Sequence, residues 1–251
     1  MFDASIYGAT SVPANISILF TDRKGGFSLP PYDSLNLATH VGDDLSTVQK
    51  NRELLNSKLP NTPVWLNQVH GCEVFDADDW NGCQIPTADA AVTTKENQVL
   101  AIMTADCLPI LLTSKCGSVV GAVHAGWRGL ASGLIEKTIQ AMQLKIIALN
   151  LQTNIQAYFG VAIGPKSFEV GEEVKTIFVK HAPQVSNLFT PTERAGKYMA
   201  DIYGLARNRL NAMGIHQIDG GQECTYKNMN FFSYRRDQVT GRMASLIWIK
   251  P

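Results

Sequence analysis

Apolar residues recur with a period of two along some stretches and with a helical period along others, and the two patterns divide the chain into elements. Residues 16–20, 64–69, 90–93, 99–103, 110–113 and 119–124 predict strands, with a turn-rich segment at 22–31. Ser46 suits an N-cap for a helix to about residue 59 that turns Val48, Leu54 and Leu55 inward. Leu130, Leu134, Ile135, Thr138, Ile139 and Met142 stand at helical spacing and predict one helix over 129–145. Residues 155–163 are β-rich and stop at Gly164-Pro165; Val170, Val174, Ile177 and Phe178 mark another helix. A third helix covers 199–213 with Gly214 as its C′ residue, and strands are expected at 215–218 and 244–249. Helices interleave with hairpin-like strand clusters, so mixed sheets with helices packed outside them are expected, in one domain over residues 1–251.

Composition narrows the partners. The 251 residues are 45% apolar and 18% charged, and 22 basic side chains balance 22 acidic ones. With no basic block, neither a nucleic-acid groove nor an anionic-membrane patch is expected. The first residues lack the basic and apolar regions of a secretory leader, and no apolar run reaches the ~20 residues of a membrane span. Five cysteines, an odd and sparse set, suit a reducing compartment in which thiols bind metal or do chemistry. A cytoplasmic protein is expected, as a monomer or weak dimer.

Three segments depart from ordinary core sequence: Asn67-Gln68-Val69-His70-Gly71, Thr104-Ala105-Asp106-Cys107-Leu108-Pro109, and His124-Ala125-Gly126-Trp127-Arg128-Gly129-Leu130. Each sets a candidate metal ligand at the end of an apolar strand beside turn residues. Two imidazoles and a thiolate make a three-ligand zinc site with an open fourth position, the arrangement used in catalysis. Spacing alone does not separate this from two satisfied histidines and a small buried thiol, since free buried cysteine is common.

Arg128 precedes a predicted helix, whose free N–H groups and dipole favour an anion; capping of loop carbonyls is the alternative. Trp127 suits a packed anchor. Asn36 can reach a sugar hydroxyl or stabilise its own turn, the latter being the commoner role. Of Arg235 and Arg236, one suits the cleft and the other an ion pair. Asp106 and Glu169 are candidate acids or pairing partners. His40, His181 and His216 are expected to be structural or exposed.

Together these segments resemble the signature of the YfiH family, also described as a polyphenol oxidase laccase-domain or purine nucleoside phosphorylase family. The likeness continues through Pro31-Tyr32-Asp33-Ser34-Leu35-Asn36-Leu37, Val41-Gly42-Asp43-Asp44, Ala162-Ile163-Gly164-Pro165 and Phe232-Ser233-Tyr234-Arg235-Arg236, nearly the whole chain. The resemblance implies a mixed α/β (α+β) fold of two packed mixed β-sheets flanked by helices. It implies Zn2+, with Cu2+ as a substitute, on His70, Cys107 and His124. The implied activity is phosphorolysis of adenosine, inosine and S-methyl-5′-thioadenosine, with adenosine deaminase activity besides. Phosphate and nucleoside would then meet Arg128 first, with Arg23, Asn36, Arg235 and Lys166 as further contacts. Lys166 stands where relatives often carry cysteine, which implies a more cationic rim. Two other enzymatic readings accompany this one: a peptidoglycan-editing hydrolase with Cys107 as nucleophile and His124 as base, and copper-dependent laccase-like oxidation. A non-catalytic, zinc-stabilised binding module is the third. The HxE and PCxxC deaminase signature is absent.

Overall fold

Strand alternation builds two main sheets that pack face to face, and the apolar stripes left on their outer faces recruit the helices. The computed structural model describes residues 2–3 and 12–251, so the reading of the first residues as lacking a leader falls mostly outside the described part. One sheet runs β1 (Phe2–Asp3), β2 (Ile16–Phe20), β13 (Met243–Ile249) and β5 (Leu100–Thr104), antiparallel throughout. The other has six strands: β12 (Ile218–Gly220), β8 (Ile155–Phe159), β6 (Leu108–Ser114), β7 (Val120–Ala125), β4 (Ala90–Thr93) and β3 (Val74–Asp76). Its outer pairs β12–β8 and β4–β3 are parallel and its inner pairs antiparallel. The expected architecture of two sheets with helices is therefore present, although only the second sheet is mixed. A third, small antiparallel sheet of β10 (Phe189–Pro191), β11 (Lys197–Ala200) and β9 (Glu169–Gly171) was not expected.

Period-two side chains assign each face. On β5, Leu100 and Ile102 join the layer between the sheets, whereas Ala101 and Met103 face the opposite side. On β7, Val120 and Ala122 point between the sheets and Val123 and Ala125 point toward the helices. Each large aliphatic side chain so buried contributes about 1.5–3 kcal/mol. Helices α3 (Leu134–Ala148) and α5 (Ile202–Ala212) cover the six-stranded sheet, α4 (Glu172–His181) packs on the small third sheet, and α1 (Leu45–Asn56) covers the four-stranded one. None of the described helices is long and apolar enough to cross a membrane.

Several boundaries move from the expected ones. Asp44 caps α1 in place of Ser46, accepting from Thr47 N at 2.8 Å. The single helix expected over 129–145 is two, α2 (Trp127–Ala131) and α3, broken where Gly133 adopts φ +85°. Residues 64–69 form no strand. Val64 and Asn67 make isolated bridges, while Gln68 exchanges two side-chain bonds with the Met103 backbone. Val170 lies in β9, before α4 begins, and residues 199–200 belong to β11. The last strand pairs of the six-stranded sheet form at 218–220, beyond the predicted 215–218.

Candidate metal centre and active site

Two strand-end corners and one loop meet at the edge of the inter-sheet layer. Cys107 occupies the β5–β6 turn, and His124 is the penultimate residue of β7, paired in register with Pro109. Alternation turns His124 toward the same face as Val120 and Ala122, between the sheets. His70 comes from the loop that Gln68 fastens to β5. Cys107 Sγ lies 3.7 Å from His70 Nε2, and the potential ligand atoms of the three residues all fall within 4.8 Å of one another. Zinc bonds of about 2.3 Å to sulfur and 2.0–2.1 Å to nitrogen at a tetrahedral angle imply a separation of about 3.5 Å, which the Cys107–His70 distance of 3.7 Å fits. Space has been left for the cluster. A Cβ on Gly126 would stand 2.9 Å from His70 Cδ2 and 3.3 Å from Cys107 Sγ.

Asp89, which carries no motif in the sequence, organises the cluster. Wholly buried at the entry to β4, it receives His124 Nδ1 on Oδ1 at 2.8 Å. It also accepts the backbone N–H groups of Val69 (3.2 Å), His70 (2.9 Å) and Gly71 (2.7 Å). The carboxylate thus fixes both the orientation of the His124 ring and the loop that carries His70, the role taken by the outer carboxylate in carboxylate–histidine–metal arrangements. Its one legible signal was positional, because the antiparallel β4–β7 register sets it opposite His124, whose N–H donates to Asp89 O at 2.7 Å.

The electrostatics favour a thiolate. Burial alone would raise the Cys107 pKa, but the His124 and His70 imidazoles outweigh it and bring the thiol down to about 6. Burial would lower His124, yet the Cys107 sulfur and the Asp89 carboxylate push it up to about 9. Asp89 is held below the usual carboxylate range, burial being outweighed by His124 and the Gly71 and Val69 N–H groups. A divalent ion would take the place of the His124 proton beside a sulfur that is already anionic.

The triad forms part of the wall of a cavity of about 540 Å3, in the range of small-molecule sites. Arg128, Trp127, Asp106, Phe168, Tyr234 and Arg235 also line it. Arg128 is exposed and lies over the Trp127 ring at 4.5 Å, so Trp127 packs against the core and faces the cavity as well. Arg235 Nη1 donates to Glu169 O at 3.0 Å, with its guanidinium 5.7 Å from the Phe168 ring.

Other expected contacts are elsewhere. Arg23 does not line the cavity; its guanidinium bonds Asp33 O at 2.7 Å and pairs with Asp33 Oδ1 at 3.0 Å. Asn36 is fully buried with its amide engaged by Ala38, Asp43 and the Arg242 N–H, which rules out a reach to a sugar hydroxyl and leaves the turn role. Lys166 is exposed and does not line the cavity, so it adds no charge to the wall. As acids, Asp106 accepts from Thr225 Oγ1 and Arg235 N, both at 2.6 Å, and Glu169 pairs with Arg194, so both are engaged. His181 and His216 are exposed as expected. His40, also exposed, nevertheless lines the cavity beside Arg242. Burial, and then the guanidiniums of Arg242 and Arg52, hold its imidazole below the ordinary range.

Comparison with known proteins places the chain among relatives of similar length and fold. Residues 17–250 match the sequence family described as multi-copper polyphenol oxidoreductase laccase. Purine nucleoside phosphorylase YfiH of Escherichia coli strain K12 is 46% identical across 94% of this chain and 95% of its own. A purine nucleoside phosphorylase of Haemophilus influenzae is 47% identical across 96% and 97%. The crystal structure of Neisseria meningitidis protein NMB0706 superposes with a TM-score of 0.89 at 42% identity, covering 97% of this chain and 98% of that one. YlmD of Geobacillus stearothermophilus superposes at 0.84 with 31% identity over 95% and 93%. With similarity of this extent over sequence and fold together, the chain belongs to the YfiH, or purine nucleoside phosphorylase, family.

Proposed function

We propose that this protein is a zinc-dependent purine nucleoside phosphorylase acting on adenosine, inosine and S-methyl-5′-thioadenosine, with adenosine deamination as a second activity of the same centre. The observation that carries the reading is a three-ligand His70–Cys107–His124 set opening onto a cavity that also presents guanidiniums and aromatic rings. The names borne by relatives 46–47% identical support the choice of substrate class. In phosphorolysis a phosphate oxygen bonds to C1′ as the C1′–N9 bond breaks; the bonding pair moves to the purine, which takes up a proton. Cations must hold the phosphate, and Arg128 and Arg235 lie on the wall for anionic or ribose oxygens. Phe168, Tyr234 and Trp127 supply flat apolar surface for a purine. Zinc, when bound, supplies Lewis-acid polarisation of an oxygen in the cavity. Asp89 keeps His124 and His70 aimed while substrates exchange.

A cysteine hydrolase, the chemistry a peptidoglycan-editing role would need, is the second reading, favoured by the Cys107–His124–Asp89 succession. The second imidazole beside the sulfur, His70, has no part in a nucleophile–base pair, and a metal would employ it, which favours the first reading. Copper on the same three ligands would account for phenol oxidation as a consequence of metal substitution. Five histidines in the chain are too few for the mononuclear and trinuclear centres of a multicopper oxidase.

The test incubates inosine or adenosine with phosphate, follows free base and ribose 1-phosphate, and determines metal content in parallel. Wild type should contain one zinc and release base. His70→Ala, Cys107→Ala and His124→Ala should lose zinc and turnover while keeping their circular dichroism, because an open catalytic site is not the scaffold of the fold. Base release by these variants equal to that of wild type would remove the mechanism. A metal-free wild type inactivated by alkylation would favour the hydrolase.

A further inference from the structure

Two cavity residues have no part in the reading above. His40 follows the buried 35–38 segment and Arg242 immediately precedes β13, yet hydrogen bonds join that segment to Arg242: Leu37 N donates to Arg242 O at 3.3 Å and Arg242 N to Asn36 Oδ1 at 2.9 Å. The amide of Asn36 is thus the clamp that sets this wall of the cavity. Arg242 is partly buried. Its Nη1 donates to Thr240 O and Gly241 O, both at 3.0 Å, and its guanidinium lies 5.9 Å from the Tyr234 ring. Among the described residues no carboxylate lies within ion-pair distance of it, and Nε and Nη2 have no acceptor. His40 likewise has no hydrogen-bond partner among the described residues.

The other cations near the site differ in kind. Arg23 is paired with Asp33, Arg235 donates to the Glu169 carbonyl, and Arg128 is exposed. Arg235 shares with Arg242 a half-buried, cavity-facing place without an ion pair, but only Arg242 stands beside His40. Burial weighs on the Arg242 guanidinium, the Cys107 sulfur and Asp106 act on it without pairing with it, and an anion bound to it directly would offset that cost. The cavity's own carboxylate, Asp106, is engaged by Thr225 and the Arg235 N–H.

We infer that Arg242 and His40 form the seat of a tetrahedral oxyanion, the inorganic phosphate consumed in phosphorolysis; this rests on the phosphorylase reading for the identity of the anion. The Nε–Nη2 edge of the guanidinium matches two phosphate oxygens as a fork, and the imidazole N–H of His40 reaches a third. The seat shares its cavity with the metal triad, so phosphate held there is brought to the nucleoside from the side of the 35–43 loop.

The experiment measures binding and kinetics separately on the zinc-loaded full-length protein. Titration calorimetry with inorganic phosphate alone should show Arg242→Gln weakened about 10- to 100-fold, or about 1.4–2.8 kcal/mol. Arg242→Lys should fall between, since lysine offers a point charge without the fork, and His40→Ala should lose several-fold. Lys166→Gln, exposed and off the cavity, should bind phosphate as wild type does. In steady state the KM for phosphate should rise by the same factors, with the KM for inosine changed by less than about threefold. If Arg242→Gln does not fold, Arg242→Lys and His40→Ala carry the same test. Wild-type phosphate affinity in these variants, or a loss confined to Arg128→Gln, overturns the assignment. So does a loss seen with inosine 5′-monophosphate but not with free phosphate, which would make the seat one for a nucleotide's phosphate. Phosphate binding that depends on Arg242 in an enzyme releasing no base would sink the phosphorylase reading and leave the oxyanion seat standing.

Discussion

Replacing Asp89 by asparagine probes the centre without touching a ligand. Four N–H donors converge on two carboxylate oxygens: His124 Nδ1 and His70 N on Oδ1, Val69 N and Gly71 N on Oδ2. An amide of the same shape keeps one oxygen and turns an NH2 group toward the other pair, so two buried donors lose their acceptor. At about 1–3 kcal/mol for each unsatisfied group, Asp89→Asn should destabilise the metal-free protein by about 2–6 kcal/mol. The His70 loop and the His124 ring then lose their common anchor, and zinc affinity should fall about 10- to 100-fold, as for other outer carboxylates. Urea unfolding with an unchanged m-value measures the first quantity, and competition against a chromophoric chelator the second. Leu111→Ala is the control for instability as such. Wholly buried between the sheets, it should lose a comparable 2–5 kcal/mol, by the ~24 cal/mol per Å3 cavity penalty added to transfer, and keep wild-type zinc affinity. If Asp89→Asn unfolds at the wild-type midpoint and binds zinc within about threefold of wild type, the claim that this carboxylate organises the site is wrong.

Three further outcomes follow from the same geometry. Gly126→Ala, at a backbone φ of −62° that alanine adopts freely, should retain its unfolding midpoint but lose zinc at least tenfold, because the new methyl collides with His70 and Cys107; unchanged metal stoichiometry in dialysis would contradict this. In the metal-free enzyme the rate of Cys107 alkylation should climb through a midpoint near 6 and level off above it, since its thiolate persists down to that pH; a midpoint near the ~8.5 of a free cysteine would show that the imidazoles do not act on it. Asp78 is held well below its ordinary 3.8, burial being outweighed by Lys145, Thr93 and Thr94, so its contribution is complete above that value and is lost as pH falls through the depressed one. The stability gap between wild type and Asp78→Asn should accordingly be constant above about pH 5 and narrow on acidification below 3.8; a gap that widens toward acid would reverse the sign.

What the sequence made legible was local. Strands such as Ile16–Phe20 and Ala90–Thr93 declare themselves because alternation is a property of neighbouring residues, and Gly214 ends its helix through φ +77°, a conformation read from residue type. The His70, Cys107 and His124 motifs were visible because each pairs a ligand with turn residues. Long-range pairing was not visible. Residues 64–69 look like a strand by composition, but β5 accepts Gln68 through its side chain, so the ladder stops at isolated bridges. Arg23 and Asn36 belong to a motif-rich stretch and were expected at the ligand, yet their partners are Asp33, Asp43 and the backbone of Arg242. His40 and Asp89 lay in unremarkable contexts, and only the closing of the sheets brings one to the cavity and the other beneath His124.

The placement of backbone strain gives these observations a common cause. Two non-glycine residues at the centre have left-handed backbones, His70 at φ +58° and Asp106 at φ +95°. Such conformations cost of order 1–3 kcal/mol each and persist where the surroundings over-determine them. Each corner is over-determined by one aspartate. Asp89 gathers the N–H groups of Val69, His70 and Gly71 around the first corner. Asp106 fixes the second with its own side chain, through Thr225 Oγ1 and the Arg235 N–H, while its carbonyl accepts from Ile163 N. Glycine would relieve either corner but cannot serve there, since at 70 it removes a ligand and at 106 it removes the carboxylate that ties the Cys107 turn to the Arg235 segment. At the centre the strain thus falls on the residues that aim His70 and Cys107 at one point, whereas the other left-handed non-glycine residues among those described, Asn97, Asn150 and Gln238, do not line the cavity. A candidate ligand set held in this way is fixed by the folded chain before any ion arrives. That is the condition under which metal can be removed and returned without unfolding the protein.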